Sequence, residues 1–160
     1  MADKRFHKNR FDARKSKLSL RLILIREKKL LESNYDFLKC TINKNMLVCK
    51  GIVRPTKHSI EYSIKIEYDG INSPKVYVVE PEIEFNDNIH MYPDKKNLCL
   101  YHPETDNFHW TPKKHHIFDT IIPWALEWLV YYELYLISGK WEHPFKPHRQ
   151  IKENTNNNAG

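Results

Sequence analysis

Residues 89–103 read IHMYPDKKNLCLYHP, with Cys99 between two leucines just after a loop holding His90, Pro93, Asp94, Lys95 and Lys96. A cysteine in such a setting has two readings. The commoner is a small buried hydrophobe. The other is a nucleophile, because sulfur attacks a carbonyl carbon readily and yields a thioester that an amine then opens to an amide. In that role Lys95 and Lys96 would favour the thiolate. Asn97, His90 or Tyr92 would donate a hydrogen bond to an oxyanion. On spacing alone the buried cysteine is favoured.

Two other chemistries can be weighed on the same residues. Cys99, His102, His109, His115 and His116 include a Cys-x-x-His pair, yet one cysteine with scattered histidines matches no closed zinc pattern. A Cys–His hydrolase pair lacks any local cysteine-protease signature around Cys99. No metal, nucleotide or other cofactor site is evident. Cys40 and Cys49 read as packing residues. Three cysteines, an odd number without close spacing, make no disulfide framework, so the thiols are expected to be free in a reducing cytoplasm.

These residues must be positioned by one domain, since 160 residues with 41% hydrophobic content suffice for a single core. The net charge of +6 is concentrated at the start, where residues 1–17 carry seven Lys or Arg against Asp3 and Asp12. That segment reads as a flexible basic arm and lacks the apolar stretch of a secretory signal. A nucleic-acid partner is disfavoured because the remaining body is nearly neutral. The ending, residues 146–160, is a polar and low-complexity tail.

Residues 18–33 begin with strand-like alternation but end in REKKLLES, and their length without Gly or Pro favours a helix. Ile60, Tyr62, Ile64, Ile66 and Tyr68 alternate with polar residues, which predicts a half-buried antiparallel strand. MLVCKGIV (46–53) before it and KVYVVE (75–80) after it complete a three-stranded meander. Residues 81–117 hold four prolines and little periodicity, and such long irregular stretches are often functional.

A last helix is predicted within residues 120–141, with Pro123 in its first turn and Gly139 as its cap. Glu127, Glu133 and Pro123 argue against a membrane span there. The helix has an aliphatic face and an aromatic one, the latter with Trp124, Trp128, Tyr131 and Tyr135. Trp128 and Tyr131 are therefore candidate partner-docking residues. Glu133 lies amid the aliphatic residues and needs a buried donor that the sequence does not name.

The order of these features resembles the ubiquitin-conjugating enzyme family. Lys75–Pro81, His90, Leu98-Cys99-Leu100 and Trp110-Thr111-Pro112 stand where that family has a proline-flanked strand, a histidine-bearing loop, its cysteine and a tryptophan-proline pair. The ending IPWALEWLVYYELYLISGKWEHP is more similar to the bacterial branch found in anti-phage operons with a cGAS-like nucleotidyltransferase. The resemblance covers roughly residues 18–145. It implies an α+β fold with an N-terminal helix, an antiparallel meander, a long active-site loop and a C-terminal helix. It also implies that Cys99 holds a protein C-terminus as a thioester and passes it to a lysine. The implied partner is the nucleotidyltransferase, with a separate activating enzyme if activation is needed.

The family's His-Pro-Asn is replaced here by His90-Met91-Tyr92, so its asparagine role does not carry over. Asn97 is a candidate replacement. His102 would accept the proton of an attacking lysine or stand as an exposed loop histidine. The ordered series reverses the preference at Cys99 towards the nucleophile. The alternative is an inactive module of the same fold that binds and regulates a partner enzyme.

Overall fold

The computed structural model describes residues 4–143, and side chains from residue 12 onwards. Its elements in chain order are α1 (Lys4–Asn34), β1 (Leu38–Asn43), β2 (Met46–Val53), β3 (Tyr62–Tyr68), β4 (Lys75–Glu80), a short α2 (Pro103–Asp106) and α3 (Ile121–Ser138). The strands form one antiparallel sheet in the order β1-β2-β3-β4. This is the expected α+β class, with helices at both ends of a meander.

Along β3, Tyr62, Ile64, Ile66 and Tyr68 are buried and the residues between them half-buried, as strand alternation requires. The expected strand began two residues earlier, yet Ile60 is 55% exposed. The chain there is committed to Glu133 of α3. Ser59 Oγ donates to its carboxylate at 2.7 Å, the Ile60 amide at 3.3 Å and the Tyr62 hydroxyl at 3.1 Å. These are the donors that a carboxylate on an apolar helix face demands.

The meander has a fourth strand. LKCTIN, residues 38–43, pairs with β2 through a two-residue turn in which Lys44 adopts a left-handed φ of 54°. The register sets Cys40 opposite Cys49, and the two are joined as a disulfide with an S–S distance of 2.16 Å. The expectation of free packing thiols is corrected, although both residues do lie in the core. Helix α1 also runs through the boundary expected at residue 18. The polar tail expected at 146–160 lies outside the described residues.

One buried cluster gathers the inner sheet face, Leu24 and Leu31 of α1, and Ile121, Ile122, Ala125, Trp128 and Leu129 of α3. The irregular stretch after β4 is tied to α1 by the fully buried Glu27. Its carboxylate accepts the Ile117 amide at 2.8 Å, pairs with Arg26 at 2.8 Å and meets His116 Nδ1 at 2.9 Å. Gly139 closes α3 in the left-handed conformation, its amide donating to Tyr135 O at 2.8 Å. Among the described residues, no helix is long and apolar enough to cross a membrane.

With Cys40 and Cys49 paired, Cys99 alone remains a thiol. Alkylation of the denatured chain without reductant should add one label, and alkylation after reduction three, as read by intact mass. Three labels without reductant would show that the pair is not formed.

Candidate active site

The stretch 89–99 folds back on itself as a closed turn. Met91 and Leu98 form an antiparallel bridge. Around it the Cys99 amide donates to His90 O at 3.0 Å, the Tyr92 amide to Asn97 O at 2.9 Å and the Lys96 amide to Tyr92 O at 2.8 Å. Pro93 can enter this reversal because it has no amide to satisfy. Lys96 leaves it with a left-handed φ of 54°. The Leu98 amide then donates to Val76 O at 2.8 Å, docking the returning limb on β4. Cys99 is thus placed by backbone hydrogen bonds on two sides, and local sequence supplies the turn that makes them possible.

The thiol itself is 0% exposed. Burial pushes it up to about 11, the Asp106 carboxylate adding to the rise and a hydrogen bond with the Tyr92 side chain opposing it. Its sulfur also lies 3.7 Å from Tyr101 O. Lys95 and Lys96 do not act on it as the sequence suggested. Lys96 reaches instead towards Glu82, at 3.8 Å, and both side chains are exposed.

A cavity of about 400 Å³ is lined by both neighbours of the cysteine, Leu98 and Leu100, though not by Cys99 itself. Ser73, Pro74 and Lys75 at the start of β4 form one wall, and Tyr92, Asp94, Lys95, Asn97, Leu98 and Leu100 another. Tyr101, Pro103 and Ile121 complete it. The Tyr101 hydroxyl donates to Ser73 Oγ at 2.7 Å, bracing the two sides. The volume falls in the range of small-ligand and peptide-tail sites, and the mixture of apolar walls with a few polar groups is typical of them.

The sequence-predicted residues are brought together in part. Asn97 lies on the cavity wall and is 7% exposed. His90 is buried, its carbonyl holding Cys99 and its ring tilted against Trp141 at 5.6 Å. His102 caps α2, with its amide donating to Asp106 Oδ2 at 2.7 Å and its Nδ1 lying 3.3 Å from Thr105 Oγ1. Trp128 is not on a docking surface. It is 1% exposed, and its indole N–H donates to His90 O at 2.7 Å. Trp141 folds back against it at 5.2 Å, which covers the aromatic face expected to be free. Tyr131 stays half-buried, its ring against His143 at 4.6 Å.

The histidines considered for a metal have other partners. His115 Nδ1 accepts the Thr111 amide at 2.9 Å and His116 meets Glu27. Among the described residues, no group of three or more His, Cys, Asp or Glu could hold a metal ion. Sequence reasoning missed Tyr101, whose carbonyl faces the thiol, and Trp141, which backs His90. Neither carries a local pattern that would have marked it.

A family model described as Type II CBASS E2 protein matches residues 27–149, and the chain belongs to that family. No curated protein matches the chain.

Three outcomes follow from this geometry. Alkylation of Cys99 by iodoacetamide in the native protein should be slow at neutral pH and rise about tenfold per pH unit until it levels near 11. An unfolded thiol titrates near about 8.5, so both states keep the proton below that. As the pH climbs from there towards 11 the unfolded chain ionises first, and the stability difference between wild type and Cys99→Ala should shift against the wild type. Trp128→Ala should cost about 3–5 kcal/mol in urea unfolding, because it empties a core site and strips a donor from His90 O. A loss under about 1 kcal/mol would return Trp128 to the surface.

Proposed function

From membership of the Type II CBASS E2 family, we propose that this chain carries the C-terminus of a partner protein as a thioester on Cys99 and transfers it to an amine, as E2-like conjugation requires. The observation that supports this best is the placement of Cys99, the cysteine outside the disulfide. Cys99 follows a hydrogen-bonded turn, and its two neighbours, Leu98 and Leu100, line a cavity of about 400 Å³. The turn is closed by backbone bonds, so the sulfur is in place before any acyl group arrives.

The residues then divide the work. Cys99 forms and breaks the C–S bond. His90 anchors the cysteine's amide from beneath, Asn97 forms the cavity wall beside it, and His102 takes the proton from the attacking lysine. The acyl donor is the C-terminus of a cGAS-like nucleotidyltransferase, activated by a separate enzyme that supplies the leaving group. Tyr131 contributes to the surface on which that partner docks. Conjugation would then prime signalling in phage defence.

The complete burial of Cys99 favours a second function, a module of the same fold that grips and regulates its partner without chemistry. One experiment separates the two. The chain is co-expressed with the nucleotidyltransferase and the activating enzyme of its operon, and products are examined by non-reducing gel and intact mass. Carrier function predicts an adduct whose mass is the sum of both chains less one water, lost in Cys99→Ala and retained in Cys40→Ala. A complex that survives Cys99→Ala with no covalent adduct in the wild type would establish the binding module instead.

A further inference from the structure

The turn leaves one question of chemistry open, namely which group receives the negative charge that develops when a carbonyl carbon is attacked by Cys99. Any carbonyl oxygen bonded through its carbon to Sγ lies two bonds from the sulfur. A donor that already reaches Sγ is therefore within reach of that oxygen. Tyr92 meets this condition, since its side chain is hydrogen-bonded to the Cys99 thiol. The same ring lines the cavity from which an acyl group would approach. Its backbone is fixed at both ends of the turn, by the amide bond to Asn97 O at 2.9 Å and by the Lys96 amide on its own carbonyl at 2.8 Å.

The alternatives are placed for other work. The ring of His90 lies under the turn against Trp141, and the residue is 8% exposed. Tyr101 presents a carbonyl to the sulfur, which can accept but not donate, and its hydroxyl is spent on Ser73. Tyr92 is also 38% exposed while the thiol is fully covered, so of the two only the tyrosine meets solvent.

We propose that Tyr92 is a catalytic residue, whose hydroxyl moves its hydrogen bond from the thiol to the oxyanion of the tetrahedral intermediate. The inference rests on Cys99 being the nucleophile of the proposed function. In the loading step the thiol proton goes to solvent base, the C–S bond forms and the carbonyl π pair moves onto oxygen, where the Tyr92 O–H meets it. Collapse re-forms the carbonyl and expels the donor's leaving group. In discharge an amine adds to the thioester, the same hydroxyl holds the second oxyanion, and the C–S bond breaks. The amine's proton passes to His102 and a proton returns to the departing sulfur, which restores the thiol.

The test compares Tyr92→Phe with wild type in two reactions of the full chain at one pH. p-Nitrophenyl acetate acylates through an oxyanion and releases p-nitrophenolate, whereas iodoacetamide alkylates the same sulfur by displacement with no oxyanion. Cys99→Ala gives the background of both. Loss of the hydroxyl removes a bond that favours the thiolate and should slow alkylation somewhat, whereas the Cys99-dependent acylation burst should fall about 100-fold further. Equal melting temperatures would show that the ring still packs. A parallel fall in both rates would make Tyr92 an activator of the thiol and overturn the proposal. So would an unchanged burst, or no Cys99-dependent burst in the wild type. p-Nitrophenyl acetate needs no partner or activating enzyme, so failure of protein conjugation would count against the proposed function and leave this measurement standing.

Discussion

The carbonyl oxygen of His90 accepts two hydrogen bonds, from the Cys99 amide at 3.0 Å and from the Trp128 indole at 2.7 Å. A buried carbonyl with two lone pairs is costly to leave unmet, and here both are used to join separate parts of the chain. One bond closes the turn across its base and sets the direction of the cysteine. The other fixes that base to the middle of α3, itself seated in the core. In a dry setting such bonds are stronger than at the surface, and each depends on the other staying in place. The position of the thiol relative to the cavity is therefore a consequence of how α3 packs, and not of the turn alone.

The same economy governs the rest of the irregular region. Forty residues separate β4 from α3, with only one short helix between. Few apolar periodicities exist there to hold them, so a buried carboxylate does so. Glu27 gathers the Ile117 amide, His116 and Arg26, and Arg26 also donates to Pro112 O at 2.6 Å. The half-buried Glu133 does the same for the segment entering β3, gathering Ser59, Ile60 and Tyr62. Removing one partner from such a site leaves a charge without compensation in low dielectric, which is far more costly than losing an apolar contact. Long loops thereby acquire defined positions without regular secondary structure.

This division explains what could be read from the sequence. β2 and β4 were legible to their end residues because short apolar runs sat between turn signals. β3 was legible in its alternation, and misjudged at its start because Ile60 is spent on a carboxylate distant in sequence. β1 escaped because LKCTIN is short and mixed, and without it nothing could place Cys40 opposite Cys49. Trp128 looked like a docking residue for a related reason. A helix with two apolar faces exposes one only if nothing returns to cover it, and Trp141 does return, beyond the helix cap. Cys99 was legible as a site through the order of features around it. Its burial and its tyrosine neighbours were not, since they depend on where a closed turn docks on the sheet.

That burial bears on how a thioester carrier would behave. A thiol pushed up to about 11 exists as thiolate in about one molecule in 10⁴ at neutral pH. It is well protected from oxidation and stray alkylation, because both require the anion and access to it. Once deprotonated, however, such a sulfur is intrinsically the stronger nucleophile, since nucleophilicity rises with basicity. It is also a reluctant leaving group, so an acyl group placed on it resists water until an amine is held close by. Control thus passes from the acidity of the thiol to whatever opens the cover over it.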